Sequence, residues 1–359
     1  TPYEGKKCND GDDDDDFLDN SLSNKKRSSS RNDDNTDSSS ELGKKNIDLS
    51  LFDLVFGDDL GKGSFANVRH AKRIIRGTAA SNWKEEYAVK NISKKFEKIA
   101  KREAFVMNQF SNPYLIKLIT SFESTKTYHL VMEYCKAGDL HSVLAQNGPL
   151  STQSAQFISG EILNGLNYIH EKGYVYGDLK VENILVHSSG HVRISDFGST
   201  RLLSECVPGE VEGTAVYLAP ELLQHKKASY KSDYWSFGCL IFQILAGRPP
   251  GWVVLQDDDK HIDNNNNTMD EGISKKIVSF GNNNEKHGNM KYNKFPNFFH
   301  TFASDLLNGL LEHDYKKRFE YKNCVNSNFF DRYILQQRNN DDDNNNIGND
   351  GIDENIFGE

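Results

Sequence analysis

Two short motifs near the middle of this chain constrain its fold and chemistry more than any other feature. Residues 176–183 read YGDLKVEN, and residues 194–198 read ISDFG. In the first motif, Asp178 can accept the proton of a hydroxyl group, and Lys180 can lie beside a transferring phosphate. Asn183 and Asp196 offer the hard oxygen donors that magnesium prefers. Each residue is common by itself, but their order predicts a site for phosphoryl transfer from a magnesium-bound nucleotide.

A glycine-rich stretch lies upstream of these motifs. Residues 61–68 read GKGSFANV between two strand-like segments, and glycines let backbone N–H groups approach a phosphate. Val68 is expected to cover the adenine. Such a stretch is often only a hairpin, so it is weak evidence alone. Four consecutive residues are expected to surround the nucleotide phosphates: Gly61, Lys62, Gly63 and Ser64.

Lys90 ends a second strand-like stretch, YAVK, at residues 87–90. We expect it to pair with the α and β phosphates and to be held by Glu103 in the helical stretch that follows. The alternative is an exposed Lys and an exposed helical Glu that form no pair.

The segment after the second motif ends in GTAVYLAPE at residues 213–221. Thr214 is expected to hydrogen-bond toward Asp178 and Lys180. Two further contacts are expected to be structural: Glu221 with Arg318, and Asp233 with the backbone of residues 176–183, which we call the catalytic loop.

The spacing of apolar residues predicts an α+β fold of two lobes. Strand-like runs dominate residues 52–134, with one helix at about 95–110. Helical spacing follows, and residues 231–246 are apolar enough for a buried helix. Further helices are expected at 304–312 and around 326–336. We therefore expect a small antiparallel sheet lobe with one helix, a larger helical lobe, and nucleotide in the cleft between them.

Three segments are too polar to pack well: residues 1–50, about 257–291 and 335–359. The chain of 359 residues is 36% hydrophobic and 26% charged, and the polar excess is concentrated in these segments. We expect disorder there, in preference to an acidic metal-binding tract at the N-terminal end. Within the second segment, residues 273–280 are apolar and could dock as a helix.

Taken together, these motifs resemble those of eukaryotic protein kinases. Residues 61–68, 213–223 and 231–250 are similar to the AGC group, and within it to phosphoinositide-dependent protein kinases. The resemblance implies a two-lobed protein kinase domain at residues 51–334, with an N-lobe at 51–134 and a C-lobe at 137–334. It implies ATP as substrate, Mg²⁺ as cofactor and Ser or Thr of proteins as acceptors, with the activation segments of other AGC kinases as candidate substrates.

The resemblance also implies the rest of the nucleotide pocket. Met132 would lie at the back of the adenine, and backbone groups of Glu133 and Cys135 would contact the base. The other implied nucleotide-binding residues are Ala88, Asp139 and Leu185. A docking groove beside the helix of Glu103 would receive the hydrophobic tail of a substrate kinase.

The catalytic loop departs from the family. The family normally begins this loop His-Arg-Asp, whereas this chain has Tyr176-Gly177-Asp178. Tyr176 keeps an aromatic ring that can pack on Phe197. Gly177 removes the guanidinium that ordinarily binds a phosphate on the activation segment, which here lies between Gly198 and Ala219.

A second departure matches the first. Glu210 stands where the family carries a phosphorylated Ser, and Arg102 and Arg201 are cations at matching positions. We expect Glu210 to pair with one or both arginines; the alternative is an exposed Glu in a mobile loop. In addition, the stretch between Lys90 and Glu103 is shorter than in the family, which argues against the docking groove.

Charge and cysteine content exclude several functional classes. The net charge of −9 is concentrated in the terminal acidic runs, so nucleic-acid binding is not expected. The five cysteines are widely spaced without a CxxC pair, which favours a reducing compartment, cytoplasmic or nuclear. No apolar run is long enough for a transmembrane segment. No lipid-binding domain is expected to follow the kinase domain within this chain.

Two alternatives remain beside an active protein kinase. A catalytically inactive scaffold of the same fold has no chemical need to retain Lys90, Asp178, Asn183 and Asp196 together. A lipid or small-molecule kinase is disfavoured by GTAVYLAPE, which forms a platform for a polypeptide acceptor.

Overall fold

The computed structural model describes residues 53–63, 65–74, 85–250, 253–255, 277–280, 295–296 and 298–331. The predictions of disorder for residues 1–50 and 335–359 lie outside these ranges. The same is true of most of the segment at 257–291 and of Ser64. Among the described residues, no helix has the length and apolar character needed to cross a bilayer.

The N-lobe is one antiparallel sheet of five strands with a helix. The strands are β1 (Leu54–Lys62), β2 (Ala66–Arg73), β3 (Glu86–Ser93), β4 (Leu118–Glu123) and β5 (Thr127–Glu133), in the order β1-β2-β3-β5-β4. Helix α1 (Glu97–Asn108) follows β3 after a single 3-10 turn and buries Ala100, Glu103, Val106 and Met107. These buried positions recur at helical spacing, so one face of α1 covers the sheet.

The C-lobe is mainly helical. Its helices are α2 (Leu140–Asn147), α3 (Thr152–Glu171), α4 (Pro220–Leu223), α5 (Tyr230–Ala246), α6 (Thr301–Leu310) and α7 (Tyr321–Val325). Two short strand pairs carry the site, β6 (Tyr174–Val175) with β9 (Arg201–Leu202), and β7 (Ile184–Val186) with β8 (Val192–Ile194). Helix α5 is buried along almost its whole length, which places it at the centre of the lobe.

This architecture confirms the predicted α+β fold of two lobes, a small antiparallel sheet with one helix and a larger, mainly helical lobe. Two local predictions were wrong. Residues 277–280, predicted as part of a helix, form strand β11 (Ile277–Phe280), which pairs with β10 (Val253–Leu255); β-branched residues in both segments favour a strand. Of the helix predicted around residues 326–336, residues 326–330 form turns, with Ser327 Oγ donating to the carbonyl of Cys324, and residues 332–336 lie outside the described ranges. Side chains such as Ser and Asn bind nearby backbone and compete with helix formation.

Candidate active site

Asp178 lies at the centre of a hydrogen-bond network in the catalytic loop. Lys180 Nζ donates to Asp178 Oδ2 at 2.7 Å, and Thr214 Oγ1 donates to Asp178 Oδ1 at 2.9 Å. Lys180 Nζ also lies 2.8 Å from Thr214 Oγ1. Asn183 Nδ2 donates to the Asp178 carbonyl at 2.8 Å. The same amide lies 3.2 Å from Asp178 Oδ2. The Asp178 carboxylate is therefore held by Lys180, Asn183 and Thr214, all three of which the sequence singled out.

A second cluster joins the N-lobe to the ISDFG turn. Lys90 Nζ lies 2.7 Å from Glu103 Oε1 and 2.9 Å from Asp196 Oδ1. Glu103 is almost fully buried on α1, and Lys90 is mostly buried on β3. Burial alone would lower the pKa of Lys90, but the charges of Glu103 and Asp196 raise it above its usual value. Lys90 is therefore a fixed cation between the two lobes.

Asp196 has an unusual backbone conformation, with φ of +56°, in the left-handed region. This conformation turns its carboxylate toward Lys90, and the Gly198 N–H donates to it at 3.3 Å. Burial alone would raise the pKa of Asp196, but Lys90 and the Gly198 N–H together lower it below the usual value. Asp196 is thus ionised at neutral pH.

The oxygen donors near this turn fit a magnesium ion that is shared with phosphate. The Asp196 side chain is 47% exposed. Asn183 adjoins the same turn, because the N–H of Ser195 donates to the Asn183 carbonyl at 2.8 Å. No group of three His, Cys, Asp or Glu residues gathers anywhere in the described part of the chain. Magnesium commonly takes only one or two carboxylates and completes its shell with phosphate oxygens and water. The donor set present here has that composition.

The residues expected around the adenine come from both lobes. Ala88 and Met132 are buried cross-strand partners on β3 and β5, and Val68 is the partner of Lys90 between β2 and β3. Leu185 on β7 forms a β-bridge with Asp139. Apolar side chains of the kind expected around an adenine are thus present on strands of both lobes.

The segment that joins the lobes is firmly held. Glu133 Oε1 accepts from the Lys117 N–H at 2.8 Å, and Asp139 Oδ1 accepts from the Ser142 N–H at 2.7 Å, which caps α2. Burial raises the pKa of the Cys135 thiol to about 12, so it stays protonated at neutral pH.

The glycine-rich stretch forms the β1–β2 hairpin. Gly61 is the partner of Val68 and Lys62 the partner of Asn67 in the ladder, and the Gly63 N–H donates to the Ala66 carbonyl at 2.8 Å. The β1–β2 register is irregular just before this stretch, between Phe56 and Asp59 and between Asp59 and Gly61.

Two buried carboxylates hold the catalytic loop and the end of the activation segment against the helices of the C-lobe. Asp233 on α5 accepts from the N–H of Tyr176 at 2.8 Å and of Gly177 at 2.9 Å. Glu221 accepts from Arg318 Nη1 and Nη2, at 2.6 and 2.8 Å, and both side chains are buried. A buried, bidentate pair of this kind fixes geometry. It holds the end of the activation segment in place.

The two arginines that were expected to bind Glu210 have different partners in the structure. Arg201 Nη1 lies 3.1 Å from Glu210 Oε2, and the same guanidinium binds Glu212. Arg102 Nη2 instead donates to the carbonyl of Thr200 at 2.6 Å. The sequence analysis did not predict the contacts of Glu212 and Thr200. The spacing of Glu210 and Glu212, two residues apart, could have indicated that Glu212 also binds Arg201. Nothing in the sequence pattern indicates the contact between Thr200 and Arg102.

Gly177 lacks the arginine side chain of the family, and it also has a conformational role. Its φ is +88°, and a Cβ at this position would lie 2.9 Å from the carbonyl oxygen of Ser199. Glycine adopts positive φ without a steric penalty, and other residues rarely do. The catalytic loop can therefore approach residues 199–200 closely, while the Tyr176 ring packs edge-on against Phe197 at 5.9 Å between centroids.

The fold and these clusters define a protein kinase catalytic domain. A family model described as a protein kinase domain matches residues 54–330. The chain therefore belongs to the protein kinase family.

Similar curated proteins narrow the class. The chain is 31% identical to 3-phosphoinositide-dependent protein kinase 1 of Arabidopsis thaliana over 289 residues, which is 74% of this chain and 51% of that protein. It is 35% identical to the protein of the same name from Mus musculus over 276 residues, 74% of this chain and 44% of the relative. A Dictyostelium discoideum relative, 3-phosphoinositide-dependent protein kinase B, is 34% identical over 206 residues, 55% of this chain and 22% of its own length.

These relatives confirm the predicted serine/threonine kinase domain of the AGC type. The chain spans about half the length of these relatives or less.

Proposed function

We propose that this protein transfers the γ-phosphate of Mg-ATP to serine or threonine hydroxyls of protein substrates. The observation that carries the proposal is the contact of Asp178 with both Lys180 and Thr214, at 2.7 and 2.9 Å. In this family the acceptor hydroxyl lies beside the Asp of the catalytic loop, and catalysis is mainly positioning and charge stabilisation.

Each residue of the site has a role in this proposal. Asp178 orients the acceptor hydroxyl and takes its proton, and Lys180 stabilises the charge that develops on the transferred group. Lys90, held by Glu103 at 2.7 Å, binds the α and β phosphates. Asn183 and Asp196 would hold magnesium, which neutralises phosphate charge when bound.

The substrate class is the finer part of the proposal. We propose activation segments of other AGC kinases as acceptors, because the relatives named above are kinases of this type. A reducing compartment, cytoplasmic or nuclear, belongs to the same proposal, since the four cysteines within the described ranges are free and buried.

The test is a phosphorylation assay on matched peptides. Purified protein would be incubated with Mg-ATP and with activation-segment peptides of AGC kinases that carry Thr, Ser, Tyr or Ala at the acceptor position. Mass spectrometry should find phosphate on the Thr and Ser peptides and on neither control, and the Asp178→Asn variant should give none. Phosphate on the Tyr peptide alone, or on no peptide at all, would overturn the proposal. Equal turnover of generic basic peptides would remove only the substrate class.

A further inference from the structure

Thr200 is fully buried two residues after the ISDFG turn, and each of its polar groups is bound by a different partner. Its N–H donates to the carbonyl of Phe197 at 3.1 Å. Its hydroxyl donates to the carbonyl of Tyr176 at 3.1 Å, and its own carbonyl accepts from Arg102 Nη2 at 2.6 Å. One small residue thus connects the ISDFG turn, the catalytic loop and helix α1.

These three partners adjoin the residues that act on the nucleotide. Tyr176 lies two residues before Asp178, and Arg102 immediately precedes Glu103, the partner of Lys90. Buried polar groups that lose their partners carry a desolvation penalty, which makes such contacts selective for one geometry. A shift of α1 would therefore break the bond of Arg102 to Thr200 and disturb the bond of Thr200 to the catalytic loop.

Gly177 makes this arrangement possible. The close approach of Ser199, the residue before Thr200, to the catalytic loop leaves no room for a Cβ at position 177. Without that approach, the hydroxyl of Thr200 would not reach the Tyr176 carbonyl. The loss of the arginine at position 177 and the gain of the Thr200 contact are then parts of one local structure.

We propose that Thr200 and Arg102 are positioning residues that couple helix α1 to the catalytic loop, so that Lys90 and Asp178 act on the same nucleotide. The coupling runs from Arg102 through the backbone and hydroxyl of Thr200 to Tyr176. It involves no phosphate. The inference rests on the proposed kinase function and adds two residues that set its catalytic geometry.

The first test removes the hydroxyl of Thr200. Thr200→Val keeps the shape of the side chain but leaves the buried carbonyl of Tyr176 without this donor, whereas Thr200→Ser keeps the hydroxyl. We expect Thr200→Val to lower kcat/KM for ATP about tenfold, and Thr200→Ser to stay within about twofold of the unmodified protein. Retention of full kcat/KM by Thr200→Val would overturn the proposal.

The second test asks whether the two residues act as a unit. Arg102→Met removes the donor to the Thr200 carbonyl while keeping a long side chain, and we expect about a tenfold loss of kcat/KM. Because both changes break one connection, the double variant should lose much less than the roughly hundredfold product. Multiplied effects would overturn the coupling. Ser327→Ala, which removes a hydroxyl contact at the end of the C-lobe, controls for a general loss of stability and should keep kcat/KM.

Hydrogen exchange separates this inference from the function on which it rests. In Arg102→Met, the backbone amides at 176–178 should exchange faster than in the unmodified protein, although Arg102 makes no hydrogen bond to them; Ser327→Ala should leave them unchanged. If the unmodified protein phosphorylates peptides but exchange at 176–178 does not respond to Arg102→Met, the coupling is wrong and the function stands. If exchange responds but no peptide is phosphorylated, the function fails and the coupling stands.

Discussion

Arg201 Nη1 lies 3.1 Å from Glu210 Oε2, and the Arg201 guanidinium also binds Glu212. Arg201 belongs to β9, and the two glutamates belong to the segment that leads to Thr214. Two carboxylates together carry about the charge of one phosphate group, roughly −1.5 to −2 near neutral pH. Residues 210–212 of the activation segment are therefore held against β9 by residues that need no modification.

We expect the activity to be independent of phosphorylation at this position. Phosphatase-treated protein should keep its rate of peptide phosphorylation. Glu210→Ala and Glu210→Lys should lower that rate by about two- to fivefold at low salt, since partly exposed ion pairs contribute about 0 to 1 kcal/mol. The loss should shrink in the presence of salt.

Glu205→Ala is the matched control, because Glu205 is an exposed carboxylate in the same segment. It should keep the rate. An enzyme that loses activity on phosphatase treatment, and regains it with phosphate on Ser204 or Thr214, would contradict this interpretation.

Asp178 and Asp196 should differ when each is replaced. Asp178→Asn removes the group that orients the acceptor, and Asp196→Ala removes a magnesium ligand, so both should abolish phosphate transfer. Nucleotide binding distinguishes them: Asp178→Asn should bind Mg-ATP nearly as well as the unmodified protein, while Asp196→Ala should bind it weakly. Titration calorimetry with a non-hydrolysable ATP analogue would measure the difference. Full activity of either variant would refute the assigned roles.

Residues that carry chemistry were easier to predict from the sequence than residues that support them. Lys90, Asp178 and Asp196 are recognisable because each must be one residue type within a short motif, and the structure brings the first and last within 2.9 Å. Thr200 was not predictable, since its role depends on backbone carbonyls of Phe197 and Tyr176 that any residue could present.

The wrong secondary-structure prediction also depended on a contact that the local sequence does not show. The apolar run at 273–280 was compatible with either a helix or a strand by periodicity alone. The choice between helix and strand is determined by the pairing of Ile277–Phe280 with Val253–Leu255, and these two segments are distant in sequence. Local pattern carries no information about such a partner.

The pair formed by His191 and Glu161 in the C-lobe should make the stability of the protein depend on pH. The hydrogen bond from His191 to Glu161 raises the pKa of His191 above its usual value. The folded protein therefore holds this proton more tightly than the unfolded chain. The added stability is fully present below the unfolded pKa and is lost as pH rises through the folded pKa.

The His191→Gln variant tests this dependence. Urea unfolding should show the unmodified protein to be more stable than the variant at about pH 5.5, and the difference should vanish by about pH 8.5. The difference should stay below about 1 kcal/mol, because the His191 side chain is 36% exposed and solvent screens the pair. A difference that grows with pH would show that the sign is wrong.

Tyr128 packs against helix α1, beside which the family resemblance implied a docking groove. Its ring is 6% exposed, and its hydroxyl donates to Glu97 on α1 at 2.8 Å. Lys94 and Lys101 each lie 5.6 Å from the ring centroid, and they form ion pairs with Glu123 and Glu97. An aromatic ring between two cations, with each cation paired, leaves the ring little surface for an apolar side chain of a partner.

We therefore expect hydrophobic tail peptides of AGC kinases to change the activity by less than about twofold, and to bind only weakly, with Kd above about 1 mM. Tyr128→Ala should loosen α1 and lower the activity, and in that variant the peptide should restore part of the loss by occupying the opened space. Val55→Ala, which truncates an exposed apolar side chain on β1, is the control and should respond to the peptide like the unmodified protein. Fluorescence anisotropy of labelled peptide and the rate of peptide phosphorylation would measure both effects. Tight binding and activation of the unmodified protein would show that the groove opens despite Tyr128.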